Sequence, residues 1–97
     1  MNINIIVDKQ DPDITSLKME GDLTMYSVHE VKKSFLDNLK SSSKMNIFLS
    51  DIKKIDTSGF QLLLLVKYES KERDVALEFI DPSPEVKHIF KLYGESI

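Results

Sequence analysis

Alternating and helical spacings of apolar residues take turns along this chain. Ile3, Ile5, Ile6 and Val7 are β-branched and partly alternating, which predicts a strand over residues 3–8. Asp11-Pro12-Asp13 is a turn signal. The imperfect alternation from Ile14 to Glu20 then predicts a second strand, hairpin-linked to the first and closed by Gly21-Asp22-Leu23. Ser27-Val28-His29-Glu30 reads as a capping box, with Ser27 at the N-cap and Glu30 at N3. Behind it Val28, Val31, Phe35 and Leu39 recur at helical spacing with Leu36 beside them, while His29, Lys32, Lys33, Asp37 and Lys40 fill the other face. This predicts an amphipathic helix of about 13 residues lying on a sheet. Ser41-Ser42-Ser43 is a polar connector, and Met45 to Leu49 is so nearly continuous in apolar residues that it predicts a central strand.

A short polar connection leads from there to Ile55-Asp56-Thr57-Ser58-Gly59, a tight turn that opens a helix apolar nearly all round. Thr57 and Ser58 are natural N-cap types, because a side-chain oxygen there can accept a bond from an orphan N–H of the first turn. Gly59 lets neighbouring groups approach the backbone closely. A hydroxyl at such a point is also well placed to carry a phosphate, since helix N-termini favour anions. Leu62, Leu63 and Val66, in line with Gly59 and Ser70, form the expected core face. Phe60, Leu64 and Tyr68 form a second stripe at i, i+4, i+8, which suggests an apolar docking patch beside Ser58, rimmed by Gln61, Lys67 and Lys71.

Val75 to Ile80 predicts a further strand. Asp81-Pro82-Ser83-Pro84 starts a last helix, with Ser83 at the N-cap, Pro84 at N1 and Glu85 in the first turn. Val86, Ile89, Phe90 and Tyr93 form its apolar face, and Gly94 stands at the expected C′ position. The order ββαβαβα belongs to the α/β class. Its strand–helix–strand units need parallel pairing with right-handed crossovers. One mixed β-sheet with helices packed largely on one side fits, and residues 1–97 suffice for one small domain with one core.

Composition narrows the function. A net charge of −3 and a sequence pI near 5.3 argue against a nucleic-acid surface. No cysteine is present, which excludes disulfides, thiolate metal sites and cysteine nucleophiles. The longest apolar run, Phe60 to Val66 with Gln61 interrupting, is too short to span a bilayer, and Met1-Asn2-Ile3-Asn4 lacks the basic opening of a signal peptide. A cytoplasmic protein without direct membrane insertion is expected. His29 and His88 sit on predicted helix faces without a partner at metal-ligand spacing. With only three glycines, widely separated, there is no glycine-rich phosphate loop. Asp22 and Asp56 could meet at strand ends, but with no activated nucleophile beside them they read as turn and cap residues. Neither an enzyme nor a cofactor or metal is expected.

Asp56-Thr57-Ser58-Gly59 ahead of a leucine-rich helix resembles the signature of the STAS domain, the fold of bacterial anti-sigma factor antagonists. Gly21-Asp22-Leu23, the Ser83-Pro84 opening and Leu92-Tyr93-Gly94 are similar to that family at the matching places, so the resemblance covers nearly the whole chain. It implies a protein-interaction module of bacterial signalling and transcription regulation. The serine just before the glycine, here Ser58, is then the phosphorylation switch, with Thr57 as the other candidate acceptor. Asp22, Asp56, Thr57 and Gly59 would surround it, and Phe60, Gln61, Leu64 and Tyr68 would bind the partner. The implied partners are an anti-sigma factor acting as a serine kinase and a separate phosphatase. Thr24 and Phe48 stand where antagonists usually carry aspartates that sit near the phosphorylation site and help the kinase complex. In these respects the chain is similar to small stand-alone STAS proteins of chemotaxis and signalling clusters. It is also similar to the non-enzymatic STAS subunit of phospholipid-transport ABC complexes, in which the same helix docks constitutively on an ATPase.

Overall fold

In a computed structural model, which describes residues 3–97, four strands and three helices alternate as β1 (Ile3–Asp11), β2 (Ile14–Leu23), α1 (Val28–Leu39), β3 (Lys44–Ile55), α2 (Thr57–Glu72), β4 (Ala76–Ile80) and α3 (Pro84–Leu92). The strands form one sheet in the order β1-β2-β3-β4. β1 and β2 are antiparallel, joined through a turn in which the Asp13 N–H donates to Asp11 Oδ1 at 2.9 Å. β2–β3 and β3–β4 are parallel, each bridged by a helix, as the length of the connections requires.

Period-2 alternation decides which face is covered. Thr15, Leu17 and Met19 of β2 and Met45, Ile47 and Leu49 of β3 are buried beneath the helices. The residues between them, Ser16, Lys18, Asn46 and Phe48, lie on the other face, where they are only partly covered. Lys18 bridges Asp51 at 3.1 Å there, and that carboxylate holds the ammonium above the usual lysine range. α2 sits in the middle of the helical layer and touches both α1 and α3. Its Leu62, Leu63, Val66 and Ser70 are buried in the core, as the helical spacing predicts.

β3 runs well past the apolar segment. Residues 50–55, read from sequence as a short polar connection, continue the strand to Ile55. Register shifts against β2 between Lys18 and Glu20, and again between Gly21 and Asp22, insert extra residues into β3. The first insertion changes the parity of the strand, so the next buried residue after Leu49 is Ile52 rather than Asp51. β4 pairs β3 only from Lys44 to Phe48. Beyond that point the Ser83 N–H donates to the Leu49 carbonyl at 3.1 Å and α3 lies against the outer half of β3.

The last helix is built as its sequence predicts. Ser83 Oγ accepts from the Val86 N–H at 3.3 Å, Pro84 follows it, and Gly94 takes φ +70° just past the C-cap. α1 departs from expectation. Ser27 occupies the N-cap position but makes no side-chain cap. Its hydroxyl turns back into the preceding loop, donating to the Asp22 carbonyl at 2.7 Å and accepting from the Thr24 N–H at 3.1 Å. The capping box therefore does not form, and Ser27 ties the end of β2 to the start of α1 instead.

Candidate functional site

The ends of β2 and β3 and the start of α2 meet at one edge of the sheet. Asp56, not Thr57 or Ser58, is the N-cap of α2. It holds an extended backbone, its Oδ1 accepts from the Gly59 N–H at 3.0 Å, and its Oδ2 accepts from the Met25 N–H at 2.9 Å. One carboxylate thus caps the helix and pins the β2–α1 loop to it, and an anion there also complements the helix dipole. Thr57 and Ser58 are the first helical residues. Replacing Asp56 with Ala removes both bonds and should cost about 2 kcal/mol, lowering the thermal midpoint by about 8–16 °C. Asp56→Asn, which keeps an acceptor for Gly59, should lose less than half of that in the same melt.

Gly59 follows because there is no space for a side chain. A Cβ at this position would overlap the Leu23 carbonyl oxygen and lie 2.9 Å from Ile55 Cγ1 and 3.0 Å from Leu23 Cγ. The first turn of α2 is therefore pressed against the end of β2, and this close approach places the two hydroxyls. They differ in what they do. Thr57 Oγ1 shares a hydrogen bond of 2.9 Å with the Tyr93 hydroxyl at the end of α3. Ser58 Oγ has no hydrogen-bond partner among the described residues, and Ser58 is half-buried on the opposite side, in the groove between α1 and α2.

Phe60 does not belong to the exposed stripe. It is 5% exposed, edge-on to Phe90 with ring centroids 5.0 Å apart and stacked on Tyr93 at 4.8 Å. Contact with α3 pulls it inward, a pairing the spacing within α2 alone does not show. The outer face of α2 carries instead Ser58, Gln61, Leu65 and Tyr68, at i, i+3, i+7 and i+10, with Leu64 alongside. Gln61 is exposed, Leu64 and Leu65 are partly covered, and Tyr68 is 61% exposed. In the adjoining loop Met25 and Tyr26 are 62% and 78% exposed, which adds apolar surface that the sequence did not single out.

The remaining site residues separate. Asp22 enters through its backbone carbonyl, on Ser27; its side chain makes no hydrogen bond with Asp56 among the described residues. Thr24 lines a groove with Asp56 and so lies at the site. Phe48 does not: it is on the sheet face away from the helices, beside Ile6, Ser16 and Lys18. The absence of an acid at position 48 therefore bears on that open face, while Thr24 lies beside the Asp56–Gly59 turn. The groove holding Thr24 and Asp56 has a volume of about 660 Å³ and runs between the outer half of β3 and α3, with Lys54, Ile55, His88 and Ile89 among its walls. Among the described residues no three acidic or histidine side chains converge as a metal site would need, and no helix is long and apolar enough to cross a membrane.

Comparison with known proteins follows the same outline. A family model for the STAS domain matches residues 6–96. Among curated proteins none matches the sequence. An anti-sigma factor antagonist from Mycobacterium paratuberculosis superposes with a TM-score of 0.81 at 17% identity, over 95% of this chain and 78% of that one. The anti-sigma factor antagonist SpoIIAA in its unphosphorylated form gives 0.79 at 16% identity, over 94% and 81% of the two chains. The Bacillus cell fate determinant SpoIIAA in its phosphorylated form gives 0.77 at 15%, over 94% and 84%. At these identities the likeness is one of fold: one mixed sheet in the order ββαβαβα.

Proposed function

The chain belongs to the STAS-domain family, and from that premise we propose that it is a non-enzymatic protein-interaction module switched by phosphorylation of Ser58. In its unmodified form it binds a kinase-type anti-sigma factor or a related signalling protein. Contact is made by the Asp56–Gly59 loop and the outer face of α2, where Gln61, Leu64, Leu65 and Tyr68 are accessible, together with Met25 and Tyr26 of the neighbouring loop.

The observation that carries this reading is the difference between the adjacent hydroxyls. Thr57 is tied to Tyr93, whereas the Ser58 hydroxyl has no partner among the described residues and stands at the first turn of α2, next to the exposed apolar surface. SpoIIAA, with the same fold, exists in unphosphorylated and phosphorylated forms, which supports a covalent switch on this scaffold. The partner kinase would transfer the γ-phosphoryl group of ATP to Ser58 Oγ, with loss of the hydroxyl proton and release of ADP. A phosphatase would hydrolyse the ester, restoring the serine and releasing inorganic phosphate. The phosphate brings about −1.5 to −2 charges at pH 7. Burying it in an interface costs several kcal/mol unless the partner supplies cations. The free chain tolerates it at a helix N-terminus.

Affinity capture from soluble and membrane fractions with Ser58→Ala and Ser58→Glu baits tests the proposal. A soluble ATPase recovered with the alanine bait and lost with the glutamate bait is the expected result. The same membrane ATPase on both baits would replace it with the constitutive transport-subunit reading.

A further inference from the structure

The groove beside Ser58 has a chemistry of its own. Val28 of α1 and Leu62 and Leu65 of α2 are its apolar lining, and Ser58 and Gln61 line it on the α2 side. His29 and Lys32, one helical turn apart on α1, line the other side. Both belong to the polar face of α1, and both are exposed. Neither forms an ion pair among the described residues, in contrast to Lys33, which bridges Asp37 at 3.4 Å on the same helix. The groove has room for a small anion, at about 350 Å³.

We propose that the phosphoryl group on Ser58 is received within the same chain by Lys32 and His29, so that phosphorylation staples α1 to α2 across this groove. The inference rests on the phosphorylation of Ser58 proposed above and names what the modified side chain does next. A lysine stem is long and flexible, and its ammonium offers three donors to an acceptor-only phosphate. Gln61 can donate its amide to the same oxygens. The bonds to the ammonium are charge-assisted and so stronger than bonds between neutral groups. Two consequences follow. The modified chain is more stable than the unmodified one, and the lysine ammonium that the unmodified surface offers to an acidic group of a partner becomes occupied from within. Phosphorylation then removes an attraction as well as adding a repulsion.

The test is a set of thermal melts on the isolated chain, with phosphoserine installed at position 58 during translation. The core comparison is the natural sequence against the double variant His29→Ala/Lys32→Ala, each with and without the phosphate. Phosphorylation should raise the midpoint of the natural sequence by about 4–8 °C. The double variant should keep less than half of that rise, the remainder being the helix-terminus contribution. Lys32→Arg should retain the rise, since charge and donors persist. Because both side chains are exposed, the unmodified double variant should melt within a few degrees of the unmodified natural sequence. Equal rises in the natural sequence and the double variant would overturn the proposal, as would a phosphate that lowers the midpoint of the natural sequence. These melts need no kinase and no partner, so their outcome is separate from that of the capture experiment.

Discussion

Gly59→Ala is expected to lower the thermal midpoint by roughly 12–24 °C, although alanine is the better helix former by about 1 kcal/mol. The reason is space. The added methyl group would overlap the Leu23 carbonyl oxygen, and a backbone atom inside a paired strand cannot rotate away. Overpacking against backbone therefore exceeds the ordinary range of about 1–3 kcal/mol, and about 3 kcal/mol remains after the propensity gain. The start of α2 would have to lift off β2, pulling at the Asp56 N–H bond to the same carbonyl and the Asp56 bond to Met25. Circular dichroism melts of the variant measure the cost. An unchanged or raised midpoint would mean that the helix start has room to move, and the placement of Ser58 would lose its physical basis.

Phe60→Ala should cost about 3–5 kcal/mol, because it empties the space between Phe90 and Tyr93 and the surrounding side chains can collapse only in part. The midpoint should fall by roughly 12 °C or more. A residue that merely served a partner from an exposed surface would leave the melt within about 0.5 kcal/mol of the parent. The two descriptions of Phe60 therefore differ by far more than the error of a melt. The variant should also free Thr57 in part, since Tyr93 stacks on Phe60 while sharing its hydroxyl with Thr57.

Phe60 shows where reading the chain one element at a time stops. Its spacing from Leu64 and Tyr68 within α2 is real, but its burial is decided by Phe90 on α3 and Tyr93 at that helix's C-cap, far along the chain. Asp56 is a similar case. From the sequence it competes with Thr57 and Ser58 as a cap, and only the position of Met25 makes its second oxygen useful. Ser27 was legible as a helix start and not as the bridge between Asp22 and Thr24. The extension of β3 to Ile55 was hidden because its register shifts break the alternation on which a strand is recognised. Other parts were plain. The order of elements follows from the change between periods 2 and 3.6. The Ser83-Pro84 start and Gly94 end of α3 rest on local backbone chemistry that needs no distant partner. Likewise Leu62, Leu63 and Val66 repeat at core spacing on a helix with no other place to bury them.

The outer face of α2 and its first turn make one surface, on which a small covalent change at Ser58 would be felt by whatever binds there. The unmodified surface carries Leu65, Tyr68, Met25 and Tyr26, with the Ser58 hydroxyl, which has no hydrogen-bond partner among the described residues, at its edge. On the proposal above, a phosphate at that hydroxyl would change the surface without asking the fold to change, because the helix terminus and the Lys32 side chain would accept it. Titration calorimetry of the captured ATPase against the unmodified chain and against the chain phosphorylated at Ser58 tests this most directly. The phosphorylated chain should bind at least about 100-fold more weakly, a difference of about 2.7 kcal/mol. Equal affinities for the two forms would contradict the switch.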